Sequence, residues 1–391
     1  MSSSNLVRLA YIKESVLGET PLAGDFDTFR FISESLSGTP DTTESQQIRT
    51  DRMSSGQVVT GLQVAGDKSF ELAKETQLED FMESAMHSDF AAGASMSETF
   101  TIDNVAKTII RGAGDYLADG VKIGDIVVGT GFTDPLNAEP VMVRLVDAST
   151  ITYVGELVDV SEVALLDVSS NVGIGIDKKS FSVEKSFLDL TEKAIVYKGM
   201  LANTMQLSVA YGDIINGSFG LVGTKYETVS GAANFITDGR TILPPATTQS
   251  LNGSIDMPFL ASSAVGVLDE VSFCIQSVEL NLNNNLLAQN CIGEAAAVDY
   301  SSGTAQIEVS ISAYLSDENW AILGKKLTQE SFSLGFMVKN LDGWYYFYLP
   351  AVQVSFDDPA SGGANQDVIL DMSGTAKVGS LGESALRIYK S

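Results

Sequence analysis

The residue types most often used for catalysis are scarce in this chain, which has one histidine, His87, and two cysteines, Cys274 and Cys291. A Ser-His-Asp or Cys-His mechanism would have to use His87, and no nucleophile-elbow sequence lies near it. Its place after an amphipathic run instead predicts a surface cap at the C-terminal end of a helix. Three ligands spread so far along the chain do not predict a zinc site. The two cysteines are expected to be buried free thiols.

Glycine-rich turns and carboxylate pairs are weak candidates for phosphate and calcium binding. They are Gly112-Ala113-Gly114, Gly129-Thr130-Gly131-Phe132, Asp25 with Asp27, and Asp357 with Asp358. Neither glycine run has the spacing, the lysine or the following helix of a phosphate loop, so both are expected to be turns. Neither aspartate pair has the ligand spacing of a calcium loop. We therefore predict no enzyme activity, no catalytic, cofactor-binding or metal-binding residues, and no cofactor.

One dense aromatic cluster, Trp344-Tyr345-Tyr346-Phe347-Tyr348-Leu349, could stack on a sugar or on nucleic-acid bases. As a strand, the same run would bury alternate side chains and present the others to a neighbouring sheet. Its counterpart in the first half of the chain, Ala194-Ile195-Val196-Tyr197-Lys198, has one aromatic residue. A stacking platform would not be expected to lose its aromatic residues so readily, which favours the strand interpretation.

The elements that must position these residues form a repeat with an offset of 151 residues. Ser180-Phe181-Ser182 recurs as Ser331-Phe332-Ser333, Leu190 as Leu341, Tyr197 as Tyr348, and Gly223-Thr224 as Gly374-Thr375. The matches keep one register without a gap, and each falls on a segment of similar, strand-like pattern. A duplicated β unit is typical of an architecture built by repetition, within one chain or around a ring.

A fainter repeat precedes it, in which Phe31-Ile32-Ser33-Glu34-Ser35 resembles Phe273-Cys274-Ile275-Gln276-Ser277. Each segment is followed by a polar stretch, then by an alternating run typical of a half-buried strand, then by a short helix. Thr76 and Glu79 predict a capping box for the first helix. The second is expected to begin after Ser316, to have Trp320 and Leu323 as its apolar residues, and to end at Gly324.

Residues 98–177 interrupt the first unit and have no counterpart in the second. Their five or six short β-prone runs, punctuated by glycines, predict a small β-barrel or sandwich that decorates the outer surface. Residues 226–269, which include Pro244-Pro245 and many Ser and Thr, are interpreted as a connector, partly ordered at best. The predicted division is a first domain of residues 1–97 and 178–225, the inserted module 98–177, the connector 226–269 and a second domain of residues 270–391.

Composition narrows the function classes. At 391 residues, with 44% hydrophobic and 19% charged residues, the chain is expected to fold into two or three domains with hydrophobic cores. A net charge of −26 argues against tight binding to nucleic acid or anionic lipid, and is compatible with a surface that repels phosphates. No apolar run is long enough to predict a transmembrane helix. The segment Met1-Ser2-Ser3-Ser4-Asn5 predicts no secretory signal, and synthesis in a reducing cytoplasm is expected.

Three groups of segments carry a family resemblance. They are Val7-Arg8-Leu9-Ala10-Tyr11-Ile12-Lys13-Glu14-Ser15 with Gly18-Glu19-Thr20-Pro21; Phe31-Ile32-Ser33-Glu34-Ser35-Leu36 with Glu44-Ser45 and Ile48-Arg49-Thr50-Asp51-Arg52; and Gly343-Trp344-Tyr345 with Leu349-Pro350-Ala351 and Gly374-Thr375-Ala376. In these segments the chain resembles the major tail tube proteins of long-tailed, siphovirus-type bacteriophages. The insert, with Gly124-Asp125, Gly131-Phe132 and Asn137, is similar to a decorating module that many of them carry.

This resemblance implies a mostly β fold with short helices, in which two related tail-tube-type β-sandwich domains form part of a ring β-barrel that an inserted small β module decorates. It implies a structural subunit of the virion tail, assembled in the host bacterial cytoplasm without membrane insertion. Rings would stack into a tube whose negatively charged lumen conducts viral DNA during ejection, without specific binding. Tape-measure, tail terminator and baseplate proteins would be its partners.

The resemblance and the repeat together suggest how the subunits associate. The long polar loop of residues 37–55 would reach the adjacent ring, because such loops commonly do so in this family. The internal repeat favours three chains per ring with pseudo-sixfold symmetry. Six chains per ring is the alternative, as in family members with a single tube domain.

Two other function classes fit parts of the sequence. A secreted or surface β-sandwich adhesin or surface-layer protein would share the acidity and the Ser and Thr content, but should carry a secretion signal. A carbohydrate hydrolase could use two of the many carboxylates. It would require a cleft that holds an acid of raised pKa, and the sequence points to none.

Overall fold

The computed structural model describes residues 3–51, 53–253, 260–261, 274–317, 320, 323, 330–359, 363, 366–379 and 382–391. Within them the fold is mostly β, which confirms the predicted fold class. The strands are β1 Val7–Lys13, β2 Phe26–Thr28, β3 Ser33–Glu34, β4 Ser37–Glu44, β5 Gln57–Glu71, β6 Ser95–Asp103, β7 Thr108–Arg111, β8 Ile126–Thr130, β9 Val141–Val146, β10 Thr150–Val154, β11 Val160–Val168, β12 Ser170–Gly173, β13 Phe181–Phe187, β14 Lys193–Ala210, β15 Asn216–Gly223, β16 Lys225–Ser230, β17 Ile242–Leu243, β18 Leu260–Ala261, β19 Ile275–Asn283, β20 Leu287–Gln289, β21 Asp299–Ser301, β22 Gln306–Tyr314, β23 Phe332–Asn340, β24 Gly343–Ser355, β25 Ile369–Ala376 and β26 Arg387–Lys390. The helix α1 spans Thr76–Met86, and 3-10 turns lie at Ser4–Leu6, Pro135–Ala138 and Ala232–Asn234. Among the described residues, no helix has the length and apolar character needed to cross a membrane.

Eight strands form a continuous antiparallel sheet in the order β4, β5, β15, β14, β19, β22, β25 and β24, which we call the main sheet. Most of these strands alternate apolar and polar side chains, so one face of the sheet is apolar and packs on the rest of the molecule. In β22 the buried set is Ile307, Val309, Ile311 and Ala313. The alternation predicted for this segment is therefore confirmed.

A second layer covers the apolar face of the main sheet and consists of two smaller groups of strands. One group contains β2, β1, β13, the N-terminal half of β14 and β16. The other contains β18, β23, the N-terminal half of β24, β26 and β12. Apolar side chains of both layers form one contiguous core. The strands β14 and β24 therefore each belong to both layers.

The bend in the middle of β14 is held by a single carboxylate. Gly199 lies at the bend with a φ of 66°, and its N–H donates to Glu14 at 2.9 Å. The same carboxylate accepts bonds from the hydroxyls of Ser180 at 2.8 Å and Ser182 at 2.6 Å, and from the N–H of Gly18 at 2.8 Å. Glycine adopts a positive φ without strain, which accounts for the residue at the bend. Glu14 thus joins β1, β13 and β14.

The helix α1 lies against the core between the layers. Phe81 is fully buried and stacks on Phe181, with ring centroids 4.4 Å apart. The predicted capping box is wrong, because Glu75 is the N-cap and makes no side-chain cap bond. Glu79 instead accepts a bond from the hydroxyl of Tyr345 at 3.2 Å. A tertiary contact with a distant strand has replaced the local bond that the pattern suggested.

The repeat is visible in the strand topology. The strands β13, β14 and β15 recur in the same order and pairing as β23, β24 and β25. Beside the first set, β5 pairs with β15 as β22 pairs with β25 beside the second. The strands β3 and β4 pair with β5 as β19 pairs with β22, so together they correspond to β19. Both copies have a register shift at the same place, directly after Phe181 in the first and after Phe332 in the second.

The ungapped register predicted for the repeat is wrong beyond the turn that joins β13 to β14. Val183 lies opposite Tyr197, whereas the equivalent Leu334 lies opposite Leu349. Tyr197 points into the core, and Tyr348 points to the other side of its strand. The identity of Tyr197 with Tyr348 therefore joins residues that are not equivalent, because the second hairpin is one residue longer.

Residues 95–168 form a closed six-stranded barrel in the order β10, β7, β6, β11, β8 and β9. It has an apolar core of its own, which includes Phe100, Tyr116 and Tyr153. The strand β12 follows the barrel directly, and it pairs with β26 in the second layer. The barrel is thus the small β module expected within the insert, and the residues after it return to the host sheet.

The aromatic run of β24 is a two-sided strand, as the strand interpretation predicted. Tyr345, Phe347 and Leu349 point into the main core. Trp344, Tyr346 and Tyr348 point the other way and pack against Ile126 and Met142 of the barrel. The aromatic residues on the outer side of β24 are therefore the surface on which the barrel is docked.

A buried ion pair lies beside this docking surface. Arg387 of β26 donates to Asp125 of the barrel at 2.8 Å, and both side chains are less than a tenth exposed. The hydroxyl of Tyr389 donates to the same carboxylate at 2.8 Å. Burial raises the pKa of Asp125, and the charge of Arg387 opposes this shift. The barrel is fixed to the second layer by directional bonds as well as by apolar contact.

The strands β4 and β5 continue beyond the main sheet as a two-stranded arm, whose tip comprises residues 45–56. The prediction of a loop over residues 37–55 is wrong for Ser37–Glu44, which pairs with β5. Nearly all side chains of β4 are exposed, so its polar sequence lacks the alternation that identifies a half-buried strand. At the tip, Ile48 and Met53 are 100% and 68% exposed.

Parts of the predicted connector are ordered strand. The segment Lys225–Ser230 is β16 and pairs with β14, and Ile242–Leu243 is β17 and pairs with β2. Residues 254–259 and 262–269 lie outside the described residues. Of the second predicted helix, Trp320 and Leu323 are helical, whereas Gly324 lies outside the described residues.

Replacing Glu14 by Gln should lower the free energy of unfolding by about 2 kcal/mol, since bonds to a charged acceptor are stronger than neutral ones. Urea-induced unfolding followed by circular dichroism measures the change. Glu19→Gln is the matched control, because Glu19 is exposed and its side chain makes no bond within the described chain. An unchanged midpoint for Glu14→Gln would show that this carboxylate does not hold the bend.

Candidate functional site: the open face of the main sheet

The face of the main sheet that points away from the core is polar, and we call it the open face. It is formed by the alternate residues of each strand. They include Asp67, Ser69 and Glu71 of β5, Asn216, Ser218 and Gly220 of β15, Gln206 and Ser208 of β14, Ser277, Glu279 and Asn281 of β19, Glu308, Ser310 and Ser312 of β22, Asp371, Ser373 and Thr375 of β25, and Gln353 and Ser355 of β24. Such alternation follows from burial of the opposite face alone.

The strand register aligns these side chains in rows across the sheet. One row contains Ser69, Ser218, Gln206, Asn281, Glu308, Thr375 and Gln353. The next contains Glu71, Asn216, Ser208, Glu279, Ser310, Ser373 and Ser355. Each carboxylate in these rows has only hydroxyl or amide side chains as its neighbours and never lies opposite another carboxylate. Directly opposed like charges, which destabilise a sheet, are thereby avoided.

All formal charges on the open face have the same sign. On β5, β19, β22 and β25 the carboxylates are those of Asp67, Glu71, Glu279, Glu308 and Asp371. Within the parts of the eight strands that the structure describes, no lysine or arginine points from this face. The face is therefore negatively charged, and neutral polar groups separate its carboxylates.

The lysine of β5 points the opposite way. Lys68 is 2% exposed, and its ammonium lies over the rings of Phe29 and Phe81, 2.9 Å and 3.6 Å from their centroids. Burial lowers the pKa of Lys68 well below its usual value, and the charge of Glu75 opposes this shift. Aromatic faces attract a cation, so this position accommodates a lysine inside the core and keeps it off the open face.

One end of the open face is covered. Leu201 and Val222 point from the sheet there, and Ala297 and Tyr300 from the segment between β19 and β22 pack on them. The hydroxyl of Tyr300 donates to the carbonyl of Gly223 at 2.9 Å, which fixes this cover. The apolar part of the face is thus shielded, and its polar part stays exposed.

The chemistry of the open face is that of a non-adhesive surface for polyanions. Tight binding of a phosphate backbone requires lysine or arginine to neutralise phosphate charge. Carboxylates repel the backbone over about 8–10 Å at physiological salt. Hydroxyl and amide groups bond to water and offer no apolar surface to which a macromolecule could adhere. The surface can therefore lie close to nucleic acid without holding it.

His87 is not the surface cap that the sequence predicts. It does end α1, in a left-handed conformation with φ of 50°, but it is 3% exposed. Its Nδ1 lies 3.4 Å from the hydroxyl of Ser302, and its Nε2 is buried without a hydrogen bond. Burial, followed by the charge of Lys178, lowers the pKa of His87. The folded state therefore favours the neutral form of the imidazole.

The other sequence candidates do not converge on a site. Cys274 and Cys291 are free and exposed, so the expectation of buried thiols is wrong. Gly114 and Gly131 lie at bends with φ of 80° and 85°, which confirms the expected turns. The carboxylate of Asp27 accepts a bond from an amide at 3.3 Å. Within the described part of the chain, no group of three His, Cys, Asp or Glu residues could hold a metal ion.

The open face was missed at the sequence level, although a signal for it was present. Residues 277–283 and 306–313 alternate polar and apolar residues, and the polar members are serine, asparagine, glutamine and glutamate only. The pattern identifies a polar face on each strand. It does not show that seven such strands are neighbours, since several of them are distant in sequence.

The comparisons with known proteins bear on this fold and this surface. A family model described as phage tail tube protein matches residues 4–376. No curated protein matches the chain. The family match covers nearly the whole chain, including the inserted barrel and all strands of the main sheet.

Replacing His87 by Asn should reduce the loss of stability at acid pH. The folded-state pKa of His87 is lowered, so below the unfolded value of about 6.5 the unfolded chain binds more protons and folding weakens as pH falls. Each pKa unit of lowering contributes about 1.4 kcal/mol. Asparagine tolerates the left-handed conformation and does not titrate.

Urea-induced unfolding at pH 7 and pH 5 measures this effect. The difference between the two pH values should be smaller for His87→Asn than for the unmodified protein. An equal difference would show that the imidazole binds a proton as readily in the folded state as in the unfolded state. The comparison isolates His87, because the carboxylates contribute equally to both proteins.

Proposed function

The chain belongs to the phage tail tube protein family, and we propose that it is a major tube subunit whose rings stack around a lumen for viral DNA. A tail tube protein is a structural component of the virion tail. In the proposed ring the main sheets of neighbouring chains join into one closed β-barrel, with their open faces inward. DNA passes along these faces during ejection without specific binding.

The observation that carries this proposal is the composition of the open face. A conduit for DNA must come near the phosphate backbone without binding it. A surface that carries the carboxylates of Asp67, Glu71, Glu279, Glu308 and Asp371, and from which no lysine or arginine of the described strands points, meets this requirement. A closed barrel also pairs the edges of the sheet, which would otherwise promote aggregation.

The barrel of residues 95–168 supports this orientation. It packs on Trp344, Tyr346 and Tyr348, which point away from the core, whereas the open face lies on the opposite side of the core. With the open face inward, the barrel would project from the outside of the tube. We propose that it is a surface decoration and takes no part in the lumen.

Three chains per ring is the stoichiometry that the repeat favours. The main sheet of one chain contains two related sets of strands, β4, β5, β15 and β14, then β19, β22, β25 and β24. Three chains would supply six such sets and a pseudo-sixfold ring. Six chains per ring is the alternative, and it would require a lumen twice as large in circumference for the same strand geometry.

The arm is suited to contact between rings. Its two strands project beyond the main sheet, and an isolated two-stranded ribbon is only marginally stable in water. Ile48 and Met53 at the tip, with Val58 and Val59 of β5, are more than half exposed. We propose that these apolar side chains are buried against the adjacent ring.

The proposed role as a tube subunit also implies the partners of the protein and its location. Tape-measure, tail terminator and baseplate proteins would associate with the tube, which would be assembled in the host cytoplasm. The protein would act as a structural subunit and not as an enzyme. The family match disfavours the adhesin and surface-layer alternative.

Replacing Glu308 by Lys in the phage should slow DNA ejection severalfold. Glu308 lies within a polar row of the open face, and a lysine there would attract passing phosphates. Quantitative PCR of genome entry into host cells over time measures the rate. The effect should shrink as salt rises, because the attraction is screened.

Asp147→Lys is the matched control for this charge reversal. Asp147 is exposed on the barrel, which lies outside the proposed lumen. Ejection by the Asp147→Lys phage should be unchanged. Equal slowing of ejection by both variants would contradict the proposal that DNA passes along the open face.

Replacing both Ile48 and Met53 by Ser should shorten the tubes without unfolding the subunit, because inter-ring contact would lose buried apolar surface. Negative-stain electron microscopy of purified, polymerised protein measures tube length. The control replaces Val105 and Val163 of the barrel, which are 92% and 71% exposed, by Ser. Tubes of normal length from the arm variant would contradict an inter-ring role.

A further inference from the structure

The barrel is inserted in one copy of the repeat and docks on the other. The chain enters the barrel after α1 and reaches β13 after leaving it, and both of these elements belong to the first copy. The surface on which the barrel docks is formed by Trp344, Tyr346 and Tyr348 of β24, which belongs to the second copy. The barrel therefore connects the two copies on the side of the core opposite the open face.

The segment that follows the barrel is fixed to the first copy. The N–H of Gly175 donates to the carbonyl of Met86 at 2.8 Å, and the N–H of Asp177 donates to the carbonyl of His87 at 2.9 Å. Both acceptors lie at the C-terminal end of α1. The base of the barrel is thus held by backbone bonds in the first copy.

The wall of the barrel that meets the second copy is apolar on both sides. Val127 of β8 and Val141 and Val143 of β9 point into the barrel core. Ile126 and Met142 lie directly opposite each other, point outward and are 0% and 3% exposed. They belong to the apolar cluster on the docking surface and not to the barrel core, so the second copy is what buries them. In an undocked barrel both side chains would be exposed.

The C-terminal strand β26 is held by the insert on two sides. One edge of β26 pairs with β12, which directly follows the barrel, and the other pairs with β24. On the outer side, Tyr389 is fully buried in the cluster that contains Ile126 and Met142. Arg387 donates to the carbonyl of Ile123 at 2.9 Å, in addition to its bond with Asp125. The position of β26 therefore depends on contacts with the insert.

The corresponding side of the first copy is covered by a different segment. Glu184 of β13 is fully buried and accepts bonds from the N–H and the hydroxyl of Thr237, at 3.2 Å and 2.9 Å. The equivalent residue of the second copy is Gly335 of β23, and Tyr346 lies over it so closely that an added Cβ would clash with the ring. The first copy is thus covered by the segment after β16, and the second copy by the barrel.

We propose that the barrel is a structural brace, which from its attachment in the first copy holds β24 and β26 of the second copy in place. In addition to its location outside the tube, it is then a part of the subunit that assembly requires. A module that only decorated the surface could be removed without effect on the rest of the fold. Removal of this barrel would expose the aromatic side chains of Trp344, Tyr346 and Tyr348 and leave Arg387 without Asp125.

The strand β24 connects the brace to the main sheet. Residues 345–348 pair with β26 in the second layer, and residues 352–355 pair with β25 in the main sheet. A displacement of the first part of this strand would therefore shift the second part, which lies in the proposed wall of the tube. This consequence for assembly rests on the proposed function, whereas the brace itself is a property of the single subunit.

Ile126→Ser with Met142→Ser tests the brace in the full chain. The two changes remove apolar contact at the docking surface and leave the barrel core intact, because neither residue belongs to it. Hydrogen exchange of the soluble protein, measured by mass spectrometry, should be about tenfold faster or more for the backbone amides of β24 and β26, since local opening becomes easier. The amides of β13, in the first copy, should keep their exchange rates.

Ile110→Ser with Leu145→Ser is the matched control. Both residues lie on the barrel and are 43% and 38% exposed, so these changes should leave exchange in both copies as it is. Unchanged exchange of β24 and β26 in the Ile126 and Met142 variant would overturn the brace. Equal acceleration of β13 would overturn it as well, because the effect would then be a loss of stability throughout the subunit.

Removal of the barrel tests its part in assembly. The N–H of Val168 donates to the carbonyl of Ala94 at 2.8 Å, so a short Gly-Ser linker from Ala94 to Ser169 can replace residues 95–168 and keep β12. Electron microscopy should show few or no rings and tubes from this variant or from the Ile126 and Met142 variant. The Ile110 and Leu145 variant should polymerise as the unmodified protein does.

The exchange and polymerisation results separate the brace from the proposed function. Tubes of normal number and width from the deletion variant would overturn the brace and leave the proposed function intact. Absence of rings and tubes from the unmodified protein, with or without other tail proteins, would overturn the proposed function. Faster exchange confined to β24 and β26 would still support the brace in that case.

Discussion

Both layers of the molecule depend on the bend in β14. Because this strand leaves the second layer at Gly199 and enters the main sheet, neither layer can shift without the other. The carboxylate of Glu14 holds the bend by accepting bonds from three segments that are far apart in sequence. The strand β24 makes the same crossing in the second copy. The core is therefore enclosed by two strands that each contribute to both of its walls.

The barrel is attached by contacts of two kinds, which have different effects. The aromatic side chains of Trp344, Tyr346 and Tyr348 supply the apolar contact area that stabilises the attachment. The buried pair of Asp125 and Arg387 adds less net stability, because both charges lose water, but removal of either partner would leave an unpaired buried charge. The ion pair therefore sets the orientation in which the apolar surfaces meet.

Features that depend on burial of one face of a strand could be predicted from the sequence, because such burial produces a local pattern. Features that depend on contacts between distant segments could not. Alternation predicted the strands β5 and β22 of the main sheet, and short β-prone runs predicted a barrel or sandwich within the insert. The burial of His87, the bond from Tyr345 to Glu79 and the side to which Tyr348 points all depend on contacts across the fold. The strand β4 was missed for the opposite reason, because nothing in the single chain covers it.

The rows of serine, threonine and asparagine on the open face would affect the friction between this surface and a polymer that moves along it. Each hydroxyl or amide can retain a water molecule, and a regular array of such groups supports a continuous film of water along the sheet. A polymer that moves over this surface would shear water against water, and would not break contacts with the protein one by one. The repulsion by the carboxylates keeps a polyanion from displacing that film. In the proposed tube, the regular spacing of the strands would thus let a water film lubricate the movement of DNA along the open face.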